Sequence, residues 1–320
     1  MNPAILAIIA IIIGFILLTL SADRFVGGAA ATAKNWGISP MLIGLTVVSI
    51  GTSAPEILVS LMAAQQGLVD IAVGNAIGSN IANIGLVLGL TALIAPLPVK
   101  TALARREIPW LVFVTLIAGA CLWNSYLGLL ESLVLLSGLF VTLYLMVYWQ
   151  KSHPEEPLVE TEELEEMPKG RAYLELIGGL VMLLISAQIL VWGAKEIATI
   201  LGISELVIGL TIVAIGTSLP ELAASVASAI RGHHDIAIGN VVGSNIFNLL
   251  AVLSMPGIVR PGALNPSVMD RDYPVMLAFT LVLAALAMIG KQPKTLGRFT
   301  GVALITGYLA YAIWLYLQTN

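Results

Sequence analysis

Long stretches of this chain carry no Asp, Glu, Lys or Arg, among them Met1 to Ala22, Trp36 to Pro55, Ile71 to Val99, Ile108 to Leu130, Ile236 to Val259, Tyr273 to Gly290 and Phe299 to Asn320. Each is near or above the ~18–20 apolar residues with which an α-helix crosses the hydrocarbon of a bilayer. Composition agrees, with 58% hydrophobic and 11% charged residues in 320, where a soluble globular domain carries roughly 25% charged. The chain reads as an all-α, multi-pass protein of the cell membrane, with the lipid bilayer as its solvent. Its single Cys121 leaves no intrachain disulfide and reads as a small buried hydrophobe.

Charges and turn residues cut the chain into ten apolar segments, near 4–22, 41–64, 71–95, 108–124, 127–149, 173–194, 206–230, 236–259, 274–290 and 299–317. The start lacks a basic lead and runs into Asp23 and Arg24, so it reads as a retained first span and not a cleaved signal. Assigning Lys and Arg to alternate sides puts 12 on the side of Arg24, Lys100 and Arg231, and leaves only Lys195, Arg260 and Arg271 opposite. The positive-inside rule then makes the first side cytoplasmic and places both termini outside, extracellular or periplasmic. Residues 151–171 form an acidic cytoplasmic linker holding Glu155, Glu156, Glu160, Glu162, Glu163, Glu165 and Glu166; without these seven the net charge of −4 becomes +3. The linker reads as a solvated tether, with calcium sensing as the alternative. No basic cluster with interleaved aromatics points to nucleic acid.

Residues 42–83 align without a gap on 207–248 at a constant offset of 165, with 24 of 42 positions identical. The same offset carries Gly14 onto Gly179, Ser21 onto Ser186, Gly28 onto Gly193 and Pro109 onto Pro274. The chain therefore divides into a first five-helix repeat, 1–150, the linker, and a second five-helix repeat, 172–320. Five is odd, so the second copy must enter the membrane from the opposite side. That is an inverted-topology repeat, whose binding site is expected near the midplane between the copies.

Within each copy stands the string Gly51-Thr52-Ser53-Ala54-Pro55-Glu56 or its match Gly216-Thr217-Ser218-Leu219-Pro220-Glu221. A carboxylate deep in an apolar segment costs ~2.5–3.5 kcal/mol on insertion and marks a functional site unless it is paired. No mid-span Lys or Arg is available, which leaves a bound cation or protonation. Pro55 and Pro220 have no N–H for the carbonyls of Gly51 and Gly216, so the helix opens there and frees oxygens that suit hard cations. A plain proline kink repaired by Ser and Thr is the structural alternative.

The second string is Gly74-Asn75-Ala76-Ile77-Gly78-Ser79-Asn80-Ile81-Ala82-Asn83, matched by Gly239-Asn240-Val241-Val242-Gly243-Ser244-Asn245-Ile246-Phe247-Asn248. Its glycines stand four apart and suit close helix approach. Ser79 with Asn83, and Ser244 with Asn248, are also four apart and present uncharged oxygens on one face. Asn75, Asn80, Asn240 and Asn245 read equally as ligands or as interhelical hydrogen-bond formers. Asp70 and Asp235 open these helices and are explained by helix N-terminal charge stabilisation. His153, His233 and His234 have no Cys or acid at zinc spacing. No phosphate loop and no Ser/His/Asp arrangement appears, so neither an enzyme nor a nucleotide-driven pump is expected, and no cofactor or obligatory protein partner is implied.

These paired strings resemble the alpha repeats of the cation/calcium exchanger superfamily, most of all its prokaryotic sodium/calcium exchanger branch. The resemblance implies four ion sites in a diamond between helices 2, 3, 7 and 8, where Ca²⁺ and Na⁺ bind in mutually exclusive fashion. By it, Glu56 and Glu221 are the shared carboxylates, and Thr52 and Thr217 supply backbone carbonyls. Ser53, Ser79, Ser218 and Ser244 supply hydroxyls to the outer and inner sodium sites. Ser49 and Ala214 match positions whose main-chain carbonyls complete them, and Asn83 and Asn248 match the central polar pair. The best-understood sodium/calcium members carry Asp where this chain has Asn248, while proton-coupled and other bacterial branches also show Asn at both central positions. The site then has two carboxylates and not three, which leaves stoichiometry open. H⁺ becomes a rival to Na⁺, since two acids sharing a dry site repel each other and a proton relieves them.

The expected function is a secondary antiporter exchanging Ca²⁺ for Na⁺ by alternating access; the resemblance implies that the peripheral helices 1 and 6 slide against the bundle that holds the site, and their glycines Gly14, Gly27, Gly28, Gly178, Gly179 and Gly193 suit close, smooth packing. Exchange against H⁺ or K⁺ is the first alternative, and a passive cation channel the second.

Overall fold

The computed structural model describes residues 3–152, 167–201, 214–289 and 294–319. Most of the expected acidic tether, 153–166, lies outside the described residues, as does the stretch 202–213 where the second motif and the seventh apolar segment begin.

Besides a short helix at Thr101–Arg105, the helices in chain order are α1 (Pro3–Trp36), α2 (Pro40–Thr52), α3 (Ala54–Gln65), α4 (Val69–Ile94), α5 (Glu107–Leu122), α6 (Leu129–Ser152), α7 (Lys169–Ile200), α8 (Ala214–Thr217), α9 (Leu219–Ile230), α10 (His234–Val259), α11 (Val268–Met288) and α12 (Arg298–Thr319). Among the described residues, seven helices are long and apolar enough to cross a membrane, and the pair α2 and α3, bent by 43°, makes an eighth crossing if taken as one span. One expected segment falls short of that length, and another is described only in part. The helix α5 has 16 residues, and of the seventh segment only α8 and the 12 residues of α9 are described.

Helix ends depart from the expected span ends for a physical reason. Asp23 and Arg24 mark where α1 leaves the apolar zone, but neither breaks a helix, and α1 continues for 34 residues to Trp36. It stops at Gly37, whose φ of +66° is the left-handed geometry that glycine adopts without strain. Two antiparallel ribbons that the apolar pattern does not announce tie loops together: Leu97–Val99 (β1) pairs with Lys294–Leu296 (β4), and Tyr126–Leu127 (β2) with Gly262–Ala263 (β3).

Layering follows from which helices are apolar all round and which are polar on one face. The motif-bearing α10 is buried along its whole apolar length, and α4 nearly so, whereas α1, α6, α7 and α12 turn most of their surface outward. Exposed Ile5, Ile8, Ile12, Phe15 and Ile16 on α1, and Phe299, Val302 and Ile313 on α12, are therefore lipid-facing.

The two long peripheral helices α1 and α7 pack together, and their contacts are reciprocal at the offset of 165. A Cβ on Gly14 would meet the backbone N of Leu190 at 2.9 Å, and one on Gly179 would meet the backbone N of Phe25 at 2.6 Å; Phe25 and Leu190 are themselves offset by 165. Gly28 against Leu176 is matched by Gly193 against Ile11. The equivalent serines Ser21 and Ser186 meet each other at 3.4 Å. Gly14, Gly28, Gly179 and Gly193 thus pack α1 on α7, whereas Gly27 faces the guanidinium of Arg231, just after α9, and Gly178 meets none of the described residues.

Candidate ion-binding site

Each acid-bearing string folds as expected from its proline. Ser53 and Ser218 leave the helical conformation with ψ of 8° and 5°, and Pro55 and Pro220 sit in the first turn of a fresh helix, α3 or α9. A proline in a first turn has no N–H to leave unpaired. Glu56 and Glu221 thereby come one residue after the proline, in the first turn, with their side chains buried to 1% and 0% exposure.

The second strings lie on α4 and α10, which cross-pack with the first. The residues Ser49–Thr52 pack on α10, α8 packs on α4, α3 packs on the segment opening at Asn248, and α9 packs on the segment opening at Asn83. Ser49, Thr52, Ser53, Ser79, Asn83, Ser218, Ser244 and Asn248 are all buried with the two glutamates. Thr217 is partly buried at the end of α8, whose first residue is Ala214. The carbonyl of Ser49 already accepts the N–H of Ser53 at 3.0 Å.

Electrostatics at this centre are unusual. Glu56 lies within Coulombic reach of Glu221. The hydroxyl of Ser53 donates to Glu221 Oε1 at 2.9 Å, a hydrogen bond from the first half to the second. Among the described residues no partner is found for Glu56 Oε1 and Oε2, Glu221 Oε2, the hydroxyls of Ser218 and Ser244, or either amide atom of Asn83 and Asn248. Buried polar groups are paired in nearly all native structures, and an unpaired buried carboxylate is the costliest exception. This group of buried oxygens makes the centre a candidate cation site. Among the described residues no group of three or more His, Cys, Asp or Glu could hold a metal.

Several roles were not legible in the spacing. Asn75 Nδ2 donates to the carbonyl of Glu56 at 3.1 Å and to Ser60 Oγ at 3.0 Å. Asn240 repeats this with the carbonyl of Glu221 at 3.2 Å and Ser225 Oγ at 2.9 Å, and its Oδ1 accepts the Thr52 hydroxyl at 3.1 Å. These two asparagines brace the acid-bearing turns. Asn80 Nδ2 reaches Met276 Sδ at 3.6 Å, while neither amide atom of Asn245 has a partner among the described residues. Asn83 and Asn248 each open a wider turn of π-helix, Asn83–Leu88 and Asn248–Val252, a distortion common at functional sites. Asp70 and Asp235 also tie the halves: Asp70 Oδ1 accepts the backbone N–H of Asn265 at 2.8 Å, and Asp235 pairs with Lys100, the residue that matches Asn265 at the offset of 165. Of the close-packing glycines, Gly239 and Gly243 would meet the Met41 and Leu45 carbonyls at 2.9 and 2.6 Å. The residues that would face Gly74 and Gly78 by the same offset, 206–214, lie almost wholly outside the described residues.

Comparison with known proteins decides the family. The model for the sodium/calcium exchanger protein family matches residues 6–149 and 172–317. This chain belongs to the sodium/calcium exchanger family. The two matched segments contain the aligned stretches 42–83 and 207–248, and the gap between them holds the glutamates from Glu155 to Glu166. Within the family it is 46% identical to CaxA of Alkalimonas amylolytica, over 98% of this chain and 99% of that protein. It is 32% identical to the sodium/calcium exchanger MaX1 of Methanosarcina acetivorans, over 96% and 97% of the two chains. Its fold matches a solved structure of the sodium-calcium exchanger NCX_Mj soaked with Na⁺ and Sr²⁺, at a TM-score of 0.83 and 34% identity, covering 96% of this chain and 98% of that one. The chain is accordingly a multi-pass membrane protein of the exchanger fold.

Proposed function

We propose that this protein is a secondary antiporter that moves Ca²⁺ across the membrane in exchange for Na⁺, binding either at one buried site between Glu56 and Glu221 and exposing it to each side in turn. The observation that carries this reading is the pair of buried glutamates, one from each half, with three carboxylate oxygens lacking any partner among the described residues. Ca²⁺ takes 6–8 oxygens, and the shell offers the two carboxylates, the hydroxyls of Ser53, Ser79, Ser218 and Ser244, the amide oxygens of Asn83 and Asn248, and main-chain carbonyls at Ser49, Thr52, Ala214 and Thr217. The names of MaX1 and NCX_Mj, both sodium/calcium exchangers, agree with Ca²⁺ and Na⁺ as the cargo.

The architecture proposed with it is ten spans in two inverted five-helix halves, both termini outside. Reciprocal contacts at the offset of 165, such as Gly14 with Leu190 and Gly179 with Phe25, are the mark of a two-fold relation, and a two-fold relating five-span units reverses their direction in the membrane. The site would sit at the midplane, held by α2, α3, α4, α8, α9 and α10. The peripheral pair α1 and α7 would slide over that bundle. Coupling follows because an empty site keeps two buried negative charges and is held back, whereas an occupied one is neutral and crosses.

Counter-flow of labelled Ca²⁺ into vesicles, driven in turn by Na⁺, K⁺ and H⁺ gradients, tests the proposal. Uptake driven by Na⁺ is the expected result. Uptake that ignores Na⁺ and follows a pH gradient would replace Na⁺ by H⁺, the exchange that the uncharged Asn248 also suits. Unitary currents needing no counter-ion would refute a carrier altogether.

A further inference from the structure

Resting on the proposed alternating access, we infer that Asp23, Gly27 and Arg231 form a latch that one side of the membrane has and the other lacks. The latch adds weight to the state in which α1 is closed over the bundle beside Arg231.

The three residues join the peripheral helix to the helix that carries Glu221. Asp23 lies on α1, and Arg231 directly follows α9, ten residues after Glu221. Arg231 Nε donates to Asp23 Oδ1 at 2.5 Å. Gly27 stands four residues after Asp23 and so on the same face of α1, where it makes room for the guanidinium. A Cβ on Gly27 would meet Arg231 Nη1 at 2.6 Å and Cζ at 3.4 Å.

The repeat supplies an internal control. At the offset of 165, Asp23 corresponds to Gln188, Gly27 to Trp192, and Arg231 to Gln66. Two opposite charges and the gap between them are thus replaced by two amides and an indole. Positions beside them keep their identity, Ser21 with Ser186 and Gly28 with Gly193, so the helices correspond while the latch does not. Packing divides in the same way: α1 packs along α9, whereas the equivalent pair, α7 and α3, barely touch. In inverted halves these two contacts lie on opposite sides of the membrane. The latched side is the one rich in Lys and Arg, cytoplasmic by the positive-inside rule.

Magnitude decides what such a pair can do. The Asp23 side chain is 53% exposed and that of Arg231 24%, so water screens the attraction and the pair shifts an equilibrium by about two- to fivefold. That is a bias and not a lock. A fully buried pair, whose breaking costs about a hundredfold or more, would hold α1 in one place and stall a cycle. Sliding of α1 carries Asp23 away from Arg231, so the contact exists in one state only, which is the condition for shifting a population at all.

The test reads the contact itself. The whole chain is placed in lipid nanodiscs with Cys121 replaced by Ala and spin labels on Leu20→Cys of α1 and Ile230→Cys at the end of α9, both exposed positions. Pulsed dipolar spectroscopy then gives the near and far populations of this pair in saturating Ca²⁺. Asp23→Asn and Arg231→Gln should each lower the near-to-far ratio about two- to fivefold, and the swap of Asp23→Arg with Arg231→Asp should restore it. An unchanged ratio in Asp23→Asn overturns the latch, and so does a swap that leaves the ratio low. Labelled Ca²⁺ exchange is followed in parallel on the unlabelled chain. Its absence in the wild type would overturn the proposed antiport, while a ratio that still answers to the swap would uphold the hold of Arg231 on α1.

Discussion

The backbone contact between α1 and α7 allows a perturbation whose size is set by geometry. A Cβ placed on Gly179 would lie 2.6 Å from the backbone N and 2.7 Å from the Cα of Phe25, where ordinary van der Waals contact begins at 3.4 Å. The difference, 3.4 less 2.6, is 0.8 Å, and it falls on backbone that no rotamer change can move aside. Gly179→Ala must therefore separate two helices that touch along their whole overlap, at an overpacking cost of about 1–3 kcal/mol. Alanine also gains ~1 kcal/mol of helix propensity over glycine, so a control is needed. Gly178 supplies it. Its Cβ would meet none of the described residues and would point into a groove of about 510 Å³ lined by Leu17, Leu20 and Met182. Gly178→Ala keeps the propensity gain without the clash, and the two variants should differ by about 1–3 kcal/mol. Equilibrium unfolding in mixed micelles reads the stability difference, and Ca²⁺ exchange in vesicles reads function. G179A should be the less stable and the slower, G178A equal to or better than wild type. Equal stability of the two would show that α1 and α7 are not in backbone contact there.

Glu56→Gln and Glu221→Gln each leave one buried carboxylate where two balance the cargo, and a truncated buried charge pair costs about 2–5 kcal/mol; labelled Ca²⁺ exchange should fall about thirty-fold or more while size-exclusion profiles stay native, and wild-type exchange in either would remove it from the site. Ser53→Ala breaks a hydrogen bond to Glu221 Oε1 worth about 1.5–3 kcal/mol, whereas the Ser218 hydroxyl has no partner among the described residues. In chelated, sodium-free buffer S53A should therefore unfold at the lower temperature of the two, and the reverse order would contradict the asymmetry between the halves. Asn240→Ala removes three hydrogen bonds, to the Glu221 carbonyl, Ser225 Oγ and the Thr52 hydroxyl, at about 1 kcal/mol each; it should destabilise by about 3 kcal/mol and Asn75→Ala, which removes two, by about 2, as read by the same unfolding measurement.

Much of this protein is written in one dimension. Uncharged stretches of spanning length oblige the backbone to pair within helices, because hydrocarbon offers it no other partner. Proline one residue before Glu56 and before Glu221 ends one helix and starts another wherever the chain lies, so the break and the acid's place in a first turn were readable directly. A constant offset of 165 likewise named the second copy of every site residue without reference to shape.

What spacing cannot specify is which side of a helix meets which neighbour once two similar copies pack. The repeats are near-identical through the acidic strings, yet Ser53 bonds Glu221 while neither oxygen of Glu56 has a described partner. Asn75 and Asn240 read as ligands or as interhelical bonds on equal terms, and only distances near 3 Å to the Glu56 and Glu221 carbonyls made them braces. Gly178 and Gly179 are adjacent in sequence, but a step of one residue turns a helix by about 100°, so one meets Phe25 and the other faces a groove. Charge-free length and the constant offset told which segments and motifs recur; the relative placement of the two halves chose their partners, because hydrogen bonds and van der Waals contacts are decided within tenths of an ångström that no linear pattern encodes.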